Sequence, residues 1–255
     1  MKHTDYIVFD FETTGFYPGT AHVIQISALK VASGKVVEEF NRFIKIDFPV
    51  PAEAAAVHGI TDAVLEAEGV SATEAWTDFL EFTGPDLPLV GHNIANFDVP
   101  FLEYQFREYG FPIPARARYV DTAAIYKAKL LEEKQLEGES NWDFFRRIGD
   151  TRAAGVYFQL TLLCAGLGID ISAFTAHRAD SDVGMTDLIY RAWMENPELE
   201  VDELTMLDIK LAEVLEKIDS LQGTGNFDAL DRLTWQRKVI IERTTKIKSK
   251  QLPLL

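Results

Sequence analysis

The stretch Val8-Phe9-Asp10-Phe11-Glu12-Thr13-Thr14-Gly15 constrains this chain more than any other. It reads as an apolar strand that ends in two acids. Side chains alternate across a strand, so Tyr6, Val8, Asp10 and Glu12 share one face while Ile7, Phe9 and Phe11 take the other. Both faces are mostly apolar, the pattern of a central strand covered on both sides. Two carboxylates side by side at its end repel each other and lose hydration unless a positive charge sits between them. A divalent metal ion is the usual partner of such a pair. Taken alone, two solvated acids at a strand end would be the commoner arrangement, so the rest of the chain has to decide.

Residues 22–32 and 35–46 read as two further strands joined at Ser33-Gly34, a hairpin signal, with Ile24, Ile26, Ala28 and Val31 as apolar positions. Thr61 fits a helix N-cap, and Ser71 fits another, with Glu74 three residues on and Trp76, Phe79 and Leu80 as the apolar stripe. Residues 87–90 form a short buried strand ending at Gly91-His92-Asn93, followed by a helix over 98–109 whose inner face holds Leu102, Phe106 and Tyr109. Arg118 to Val120 is the next strand, and Asp121-Thr122 caps a helix reaching Leu131. The early hairpins and the later strand–helix alternation together predict a mixed sheet flanked by helices. The polar stretch 132–154, with a short helix over 141–148, reads as a surface insertion. Residues 158–168 are helical, and Asp180 or Ser181 opens a long helix to Glu195 that Asn196-Pro197 ends. Beyond it, Leu204, Leu207, Leu211, Val214, Ile218 and Leu221 step by three and four; Gly223-Thr224-Gly225 breaks the pattern, and Leu230, Leu233, Ile240 and Ile247 resume it. This predicts a C-terminal helical hairpin, dividing the chain into a main domain over 1–197 and a hairpin with basic tail over 198–255.

Two further acids fall on inward helical faces. Asp98 lies four residues before Leu102 and eight before Phe106, and Asp182 lies three before Met185 and seven before Ile189. Asp180 points well away from that face, so Asp182 is the better ligand. Each alone would fit an acid favoured by a helix N-terminus. Together with Asp10 and Glu12 they make four carboxylates, enough to hold two Mg²⁺ or Mn²⁺ ions in the arrangement used for phosphoryl displacement. His177, five residues before Asp182, falls in the loop leading into the helix, where a neutral imidazole can take a proton from water. On its own it would more often be an ordinary surface histidine.

These residues resemble the DEDDh 3′–5′ exonucleases, the group that includes the proofreading epsilon subunit of bacterial replicative polymerase. The first motif of that family is matched by Asp10-Phe11-Glu12-Thr13-Thr14-Gly15, the second by Gly91-His92-Asn93-Ile94-Ala95-Asn96-Phe97-Asp98, and the third by His177-Arg178-Ala179-Asp180-Ser181-Asp182. His58-Gly59-Ile60-Thr61 and Val120-Asp121-Thr122 are supporting matches. The resemblance implies a ribonuclease-H-like fold, metal ligation by Asp10, Glu12, Asp98 and Asp182, and His177 as general base. It implies a two-metal reaction that frees nucleoside 5′-monophosphates from 3′ ends, with Thr14 and Phe16 touching the terminal nucleotide. Thr13 and Gly15 flank that contact, and His58 and Asn93 shape the pocket. The expected substrate is a single-stranded or frayed DNA end in proofreading or repair, with RNA trimming as an alternative. An idle scaffold in a replication assembly is the rival reading from another class. Gln25 departs from the family pattern, where many relatives have an acid, and Val183 replaces a common alanine.

Composition sets limits on partners. The chain of 255 residues is 47% hydrophobic and carries a formal charge of −15. Such a charge opposes broad wrapping of nucleic acid but allows an enzyme that grips one strand end. No stretch is apolar enough to span a membrane, the N-terminus runs straight into the first strand without a signal peptide, and the single Cys164 fits a reducing cytoplasm. Bases concentrate near the C-terminus. The ending Gln251-Leu252-Pro253-Leu254-Leu255 resembles the short peptides with which bacterial replication proteins bind the sliding clamp, which implies Gln251, Leu252, Leu254 and Leu255 as clamp contacts and a polymerase as a neighbour.

Overall fold

The acidic strand lies in the middle of the sheet. Five strands are formed, β1 (Tyr6–Thr13), β2 (Val23–Ala32), β3 (Lys35–Phe43), β4 (Leu89–Gly91) and β5 (Tyr119–Asp121), in the spatial order β3-β2-β1-β4-β5. The β1–β2 and β2–β3 pairs are antiparallel, whereas β1–β4 and β4–β5 are parallel, so the sheet is mixed as expected. This computed structural model describes residues 4–174 and 179–251. The β2–β3 turn is the two-residue Ser33-Gly34 corner, with φ of 50° and 72°, the positive values that match strand twist in a tight hairpin.

Helices α1 (Ala52–His58), α2 (Asp62–Glu68), α3 (Ala72–Thr83), α4 (Asp98–Tyr109), α5 (Thr122–Leu131), α6 (Asn141–Asp150), α7 (Leu160–Gly166), α8 (Ala179–Glu195), α9 (Glu203–Leu221) and α10 (Phe227–Gln251) complete the described fold. The two faces of β1 separate as the alternation requires. Ile7, Phe9 and Phe11 enter a core with Trp76 and Phe79 of α3 and Phe101, Leu102 and Phe106 of α4. Tyr6 and Val8 pack with Val183 and Tyr190 of α8. Each such fully buried side chain contributes about 1.5–3 kcal/mol, so β1 is fixed from both sides before its acids are considered.

Local signals decide where the helices start. Ser71 accepts the Glu74 N–H at 3.2 Å, and Asp121 accepts the Ala124 N–H at 3.0 Å, each at its helix N-cap. Thr61 holds the N-cap position of α2 with extended backbone, but its hydroxyl makes no capping bond. The alanine-rich stretch before His58 forms α1, a helix that its short length and weak periodicity did not announce. Tyr109 departs from expectation: at 46% exposure it lies outside the core, at the last position of α4 before Gly110.

The largest correction concerns residues 132–154. The short helix expected there forms as α6, capped by Ser140, but it is no surface insertion: it buries Trp142, Phe145 and Ile148 in the main core. Those residues recur every third position and form a helical stripe. On the other face, Leu162, Leu163 and Cys164 of α7 pack with Tyr126, Met185, Ile189 and Met206, so α9 is seated on α7. Leu207, Val214 and Ile240 close the helical hairpin, and Arg243 joins α10 back to Glu203 at 2.7 Å and to the Leu130 carbonyl. Gly223 and Gly225, with φ of 78° and 75°, form its corner. Among the described residues no helix is long and apolar enough to cross a membrane.

Candidate active site

Where β4 stops, the ladder beside β1 is left open, and the site begins there. The Ile7 N–H still finds a carbonyl next door, that of Pro88 at 2.9 Å. Two strand periods later the neighbouring strand has ended at Gly91, and the Phe11 N–H is taken instead by Asp98 Oδ1 at 3.0 Å. Asp98 is therefore held at the first turn of α4 against the end of β1, and it is buried. The β1–β2 register shifts between Glu12 and Thr13, an irregularity of the kind that re-aims side chains beside active sites.

Asp10 and Glu12 project from the β1 face that α8 covers. The start of α8 brings Asp182 to them: one carboxylate oxygen from each of the three lies within 4.8 Å of the others. Asp98 lies outside that three-residue group but close enough for its charge to act on Asp10 and Glu12. Burial and then the neighbouring charges of Asp98, Glu12 and Asp182 push the Asp10 carboxyl well above its ordinary range. Glu12 is pushed up to about 8, by burial first and then by Asp182 and Asp98. Burial raises Asp98 to about 7, with the Phe11 N–H opposing it. Among the described residues, neither Asp10 nor Glu12 has a Lys or Arg partner. A hard divalent cation that prefers oxygen ligands is the species that fits this donor set.

The loop between β4 and α4 is fixed by groups that sequence reading did not assign. Asp121, at the end of β5, accepts N–H groups from Asn93 at 3.0 Å and Ala95 at 2.9 Å while also capping α5. Burial raises its pKa, and those backbone donors hold it down. His92 bridges Thr122 Oγ1 at 2.9 Å and the Phe158 carbonyl at 2.8 Å, and burial lowers it to about 4, so it is a neutral tie. Arg146 of α6 donates to the Ala95 carbonyl at 2.6 Å and to Asn96 Oδ1 at 2.9 Å. The strand-end Val120-Asp121-Thr122 was the visible signal for the first of these; the other two depend on partners remote in sequence.

The other residues expected to touch substrate have local roles of their own. Thr13 donates its hydroxyl proton to the Gly15 carbonyl at 2.6 Å, and Thr14 Oγ1 accepts the His22 N–H at 2.9 Å, so both shape the loop after β1. Phe16 stands out at 79% exposure and Tyr17 at 74%. His58 is buried at the end of α1. Its Nδ1 accepts the Ile60 N–H, its Nε2 has no partner among the described residues, and burial lowers its pKa with the Thr13 backbone close enough to oppose the effect. Asn93 has a φ of 65°, rare for a side-chain-bearing residue. Gln25, paired with Glu12 across the strands, gives its amide to Asn41 at 2.9 Å. His177 and Leu252, Leu254 and Leu255 of the terminal peptide lie outside the described residues, whereas Gln251 ends α10.

Known proteins resemble both the sequence and the fold. The chain is 29% identical over 217 residues to the PolC-type DNA polymerase III of Mycoplasma pneumoniae, covering 83% of this chain and 13% of the polymerase. It is 38% identical over 114 residues to the corresponding polymerase of Streptococcus pyogenes serotype M18, covering 44% of this chain and 7% of that protein. Among solved structures, Escherichia coli exonuclease I in complex with a dA16 oligonucleotide superposes with a TM-score of 0.58 at 21% identity, over 77% of this chain and 42% of that one. A moderately thermophilic exonuclease I from Methylocaldum szegediense gives 0.60 at 21%, over 76% and 41%. The structural likeness shows that the chain shares the fold of these proteins, and the chain spans less than half of each of them. The model of the RNase T exonuclease family matches residues 7–190, most of the length, and the chain belongs to that family.

Proposed function

We propose that this protein is a metal-dependent exonuclease that removes nucleotides from the 3′ end of DNA, with Asp10, Glu12, Asp98 and Asp182 as ligands and His177 as general base. The observation that carries the reading is the convergence of Asp10, Glu12 and Asp182 beside buried Asp98, with no Lys or Arg on Asp10 or Glu12 among the described residues. A relative that is a DNA polymerase and a neighbour crystallised with a DNA oligonucleotide support DNA as the substrate. Two Mg²⁺ or Mn²⁺ ions bound there would neutralise the charge that develops on the phosphate.

The chain's own groups would do the rest. His177 takes the proton of the attacking water; the water oxygen bonds to phosphorus, and the bond from phosphorus to the departing 3′ oxygen breaks. A nucleoside 5′-monophosphate leaves and the shortened strand keeps a 3′ hydroxyl. Thr13, Thr14 and Gly15 form the floor beside the terminal nucleotide, Phe16 stacks on its base, and His58 and Asn93 border the pocket. Asp98 keeps the β1 end and the start of α4 in one geometry through its bond to the Phe11 N–H.

Two oligonucleotides test this, one labelled at its 5′ end and one at its 3′ end, each with Mg²⁺ or Mn²⁺. The expected result is a stepwise ladder from the first and immediate mononucleotide from the second. Mononucleotide released first from the 5′ label, or no product with either ion, would contradict it. The polymerase relatives also support a partnership with a separate polymerase. The ending Gln251 to Leu255 is proposed to dock on a sliding clamp, which deletion of those residues and titration with clamp would check.

A further inference from the structure

One groove is formed by the elements that flank the motifs rather than by the acids themselves. Pro18 of the loop after β1, Ala95 and Val99 at the start of α4, and Trp142 of α6 line it, with a cavity volume of about 550 Å³. That lies within the range of pockets that bind ligands, about 300–1,000 Å³. Its lining includes chain neighbours of the site residues: Val99 follows Asp98, and Pro18 comes three residues after Gly15. Its outer walls carry Arg107, Arg116 and Arg146 against two acids, Glu103 and Asp143.

Charge here runs opposite to that of the whole chain. Glu103 is shared by two guanidinium groups, Arg107 at 3.0 Å and Arg116 at 3.3 Å, so one acid serves two bases. Asp143 is occupied by the Ser140 hydroxyl at 2.6 Å. Arg107 and Arg116 keep side-chain exposures of 62% and 58%, leaving donors directed at solvent. Phe16 and Tyr17 lie on the same loop as Pro18 of the groove lining and are exposed far beyond what the core needs. Exposed aromatics next to spare guanidinium groups are the combination that stacks bases and tracks phosphates in single strands. The wall is also rigid: a methyl group on Gly149 would overlap the Asn96 amide, so α6 lies directly on the loop that leads to Asp98.

We propose that this groove binds the sugar–phosphate backbone of a single nucleic-acid strand, upstream of the 3′ terminus, with Arg107 and Arg116 on phosphates and Tyr17 against a base. The proposal rests on the exonuclease reading for the direction of the strand, but not for the binding itself. An acidic protein gains a local means of holding a polyanion in this way, and α6 becomes one wall of the substrate path.

The test compares the full-length parent, the double variant Arg107→Ala/Arg116→Ala and Tyr17→Ala. Binding of a fluorescent 20-residue dT oligonucleotide is followed by anisotropy in EDTA between 50 and 200 mM salt. Hydrolysis of the p-nitrophenyl ester of thymidine 5′-monophosphate, too short to enter the groove, is measured with Mn²⁺. Each phosphate contact to a single strand contributes a salt slope of about 0.7, so losing two lowers the slope by about 1.4 and weakens binding at 0.1 M salt about 25-fold. Tyr17→Ala weakens binding without changing the slope, and both variants hydrolyse the short ester as the parent does. Unchanged affinity and slope in the double variant would overturn the proposal, as would equal losses on the short ester. Loss of binding to a poly-glutamate peptide with oligonucleotide binding intact would also overturn it, marking a protein-docking surface. A parent that binds the oligonucleotide through the groove but hydrolyses neither substrate would leave the groove standing and defeat the exonuclease reading.

Discussion

The interface between β1 and α8 holds acids at both of its ends, buried at one and half-buried at the other, and the chain treats them differently. At one end Asp187 accepts the Tyr6 hydroxyl at 2.7 Å and pairs with Arg191 at 2.6 Å, and Arg191 in turn reaches the Gly34 carbonyl. At the other end Asp10 and Glu12 meet Asp182 and the field of Asp98, carboxylate against carboxylate. The same strand and the same helix supply a cation where an acid is structural and, among the described residues, supply none to Asp10 and Glu12. A chain that can place an arginine one turn from Asp187 had the means to neutralise the strand end. That it places acids there instead is the arrangement expected of the proposed cation site.

The largest effect expected from breaking this contrast is on activity. Asp10→Asn removes a proposed metal ligand and with it several kcal/mol of transition-state stabilisation, roughly a 10³-fold loss in kcat/KM at 1.36 kcal/mol per decade. The same variant should unfold at a higher temperature than the parent in EDTA, because it removes a buried charge that the metal-free fold resists. A rate within tenfold of the parent would dissolve the contrast.

Much of this arrangement was legible in the sequence, and the exceptions have physical causes. Alternation along residues 6–12 fixes which side of β1 carries the acids, and helical phase relative to Leu102 and Met185 places Asp98 and Asp182 inward. Asp98 was legible as inward but not as the group that replaces the missing ladder partner of Phe11, since that depends on where β4 stops. Asp121 was visible as a cap, whereas its bonds to Asn93 and Ala95 join backbone groups nearly thirty residues away. The polar composition of 132–154 concealed the stripe of Trp142, Phe145 and Ile148, because three buried side chains suffice to seat a short helix. Tyr109 satisfied the periodicity but not the packing, for periodicity says nothing about where the buried part of a helix ends.

Weakening the loop behind Asp98 comes next in size. Asp121→Ala frees the Asn93 and Ala95 N–H groups, so the ligand loses its support, and supports of this kind are commonly worth 10–100-fold in metal affinity or activity. The Mg²⁺ concentration at half-maximal rate should rise by that factor, and an unchanged midpoint would limit Asp121 to a role in folding. Acidity offers a third test. Glu12 at about 8 and Asp98 at about 7 stand above their ordinary values of 4.5 and 3.8, so the metal-free fold holds protons that the unfolded chain has released. Stability in EDTA is therefore fullest below about pH 4 as far as these groups go, and falls as pH rises to about 8. A melting temperature in EDTA that climbs from pH 5 to 8 would contradict the raised values. Smallest for activity is Arg191→Ala, which leaves Asp187 with only the Tyr6 hydroxyl; about 2–3 kcal/mol of stability should be lost in urea unfolding while the rate per folded molecule holds.

Calorimetric titration of Mn²⁺ into metal-free protein at pH 8, parent against the double variant Asp10→Asn/Glu12→Gln, tests most directly whether the acids at the end of β1 await a cation. Saturable binding in the parent that disappears in the double variant, with protons released in proportion to buffer ionisation heat, is the expected result. Equal binding by the two proteins, or none by the parent, would contradict it.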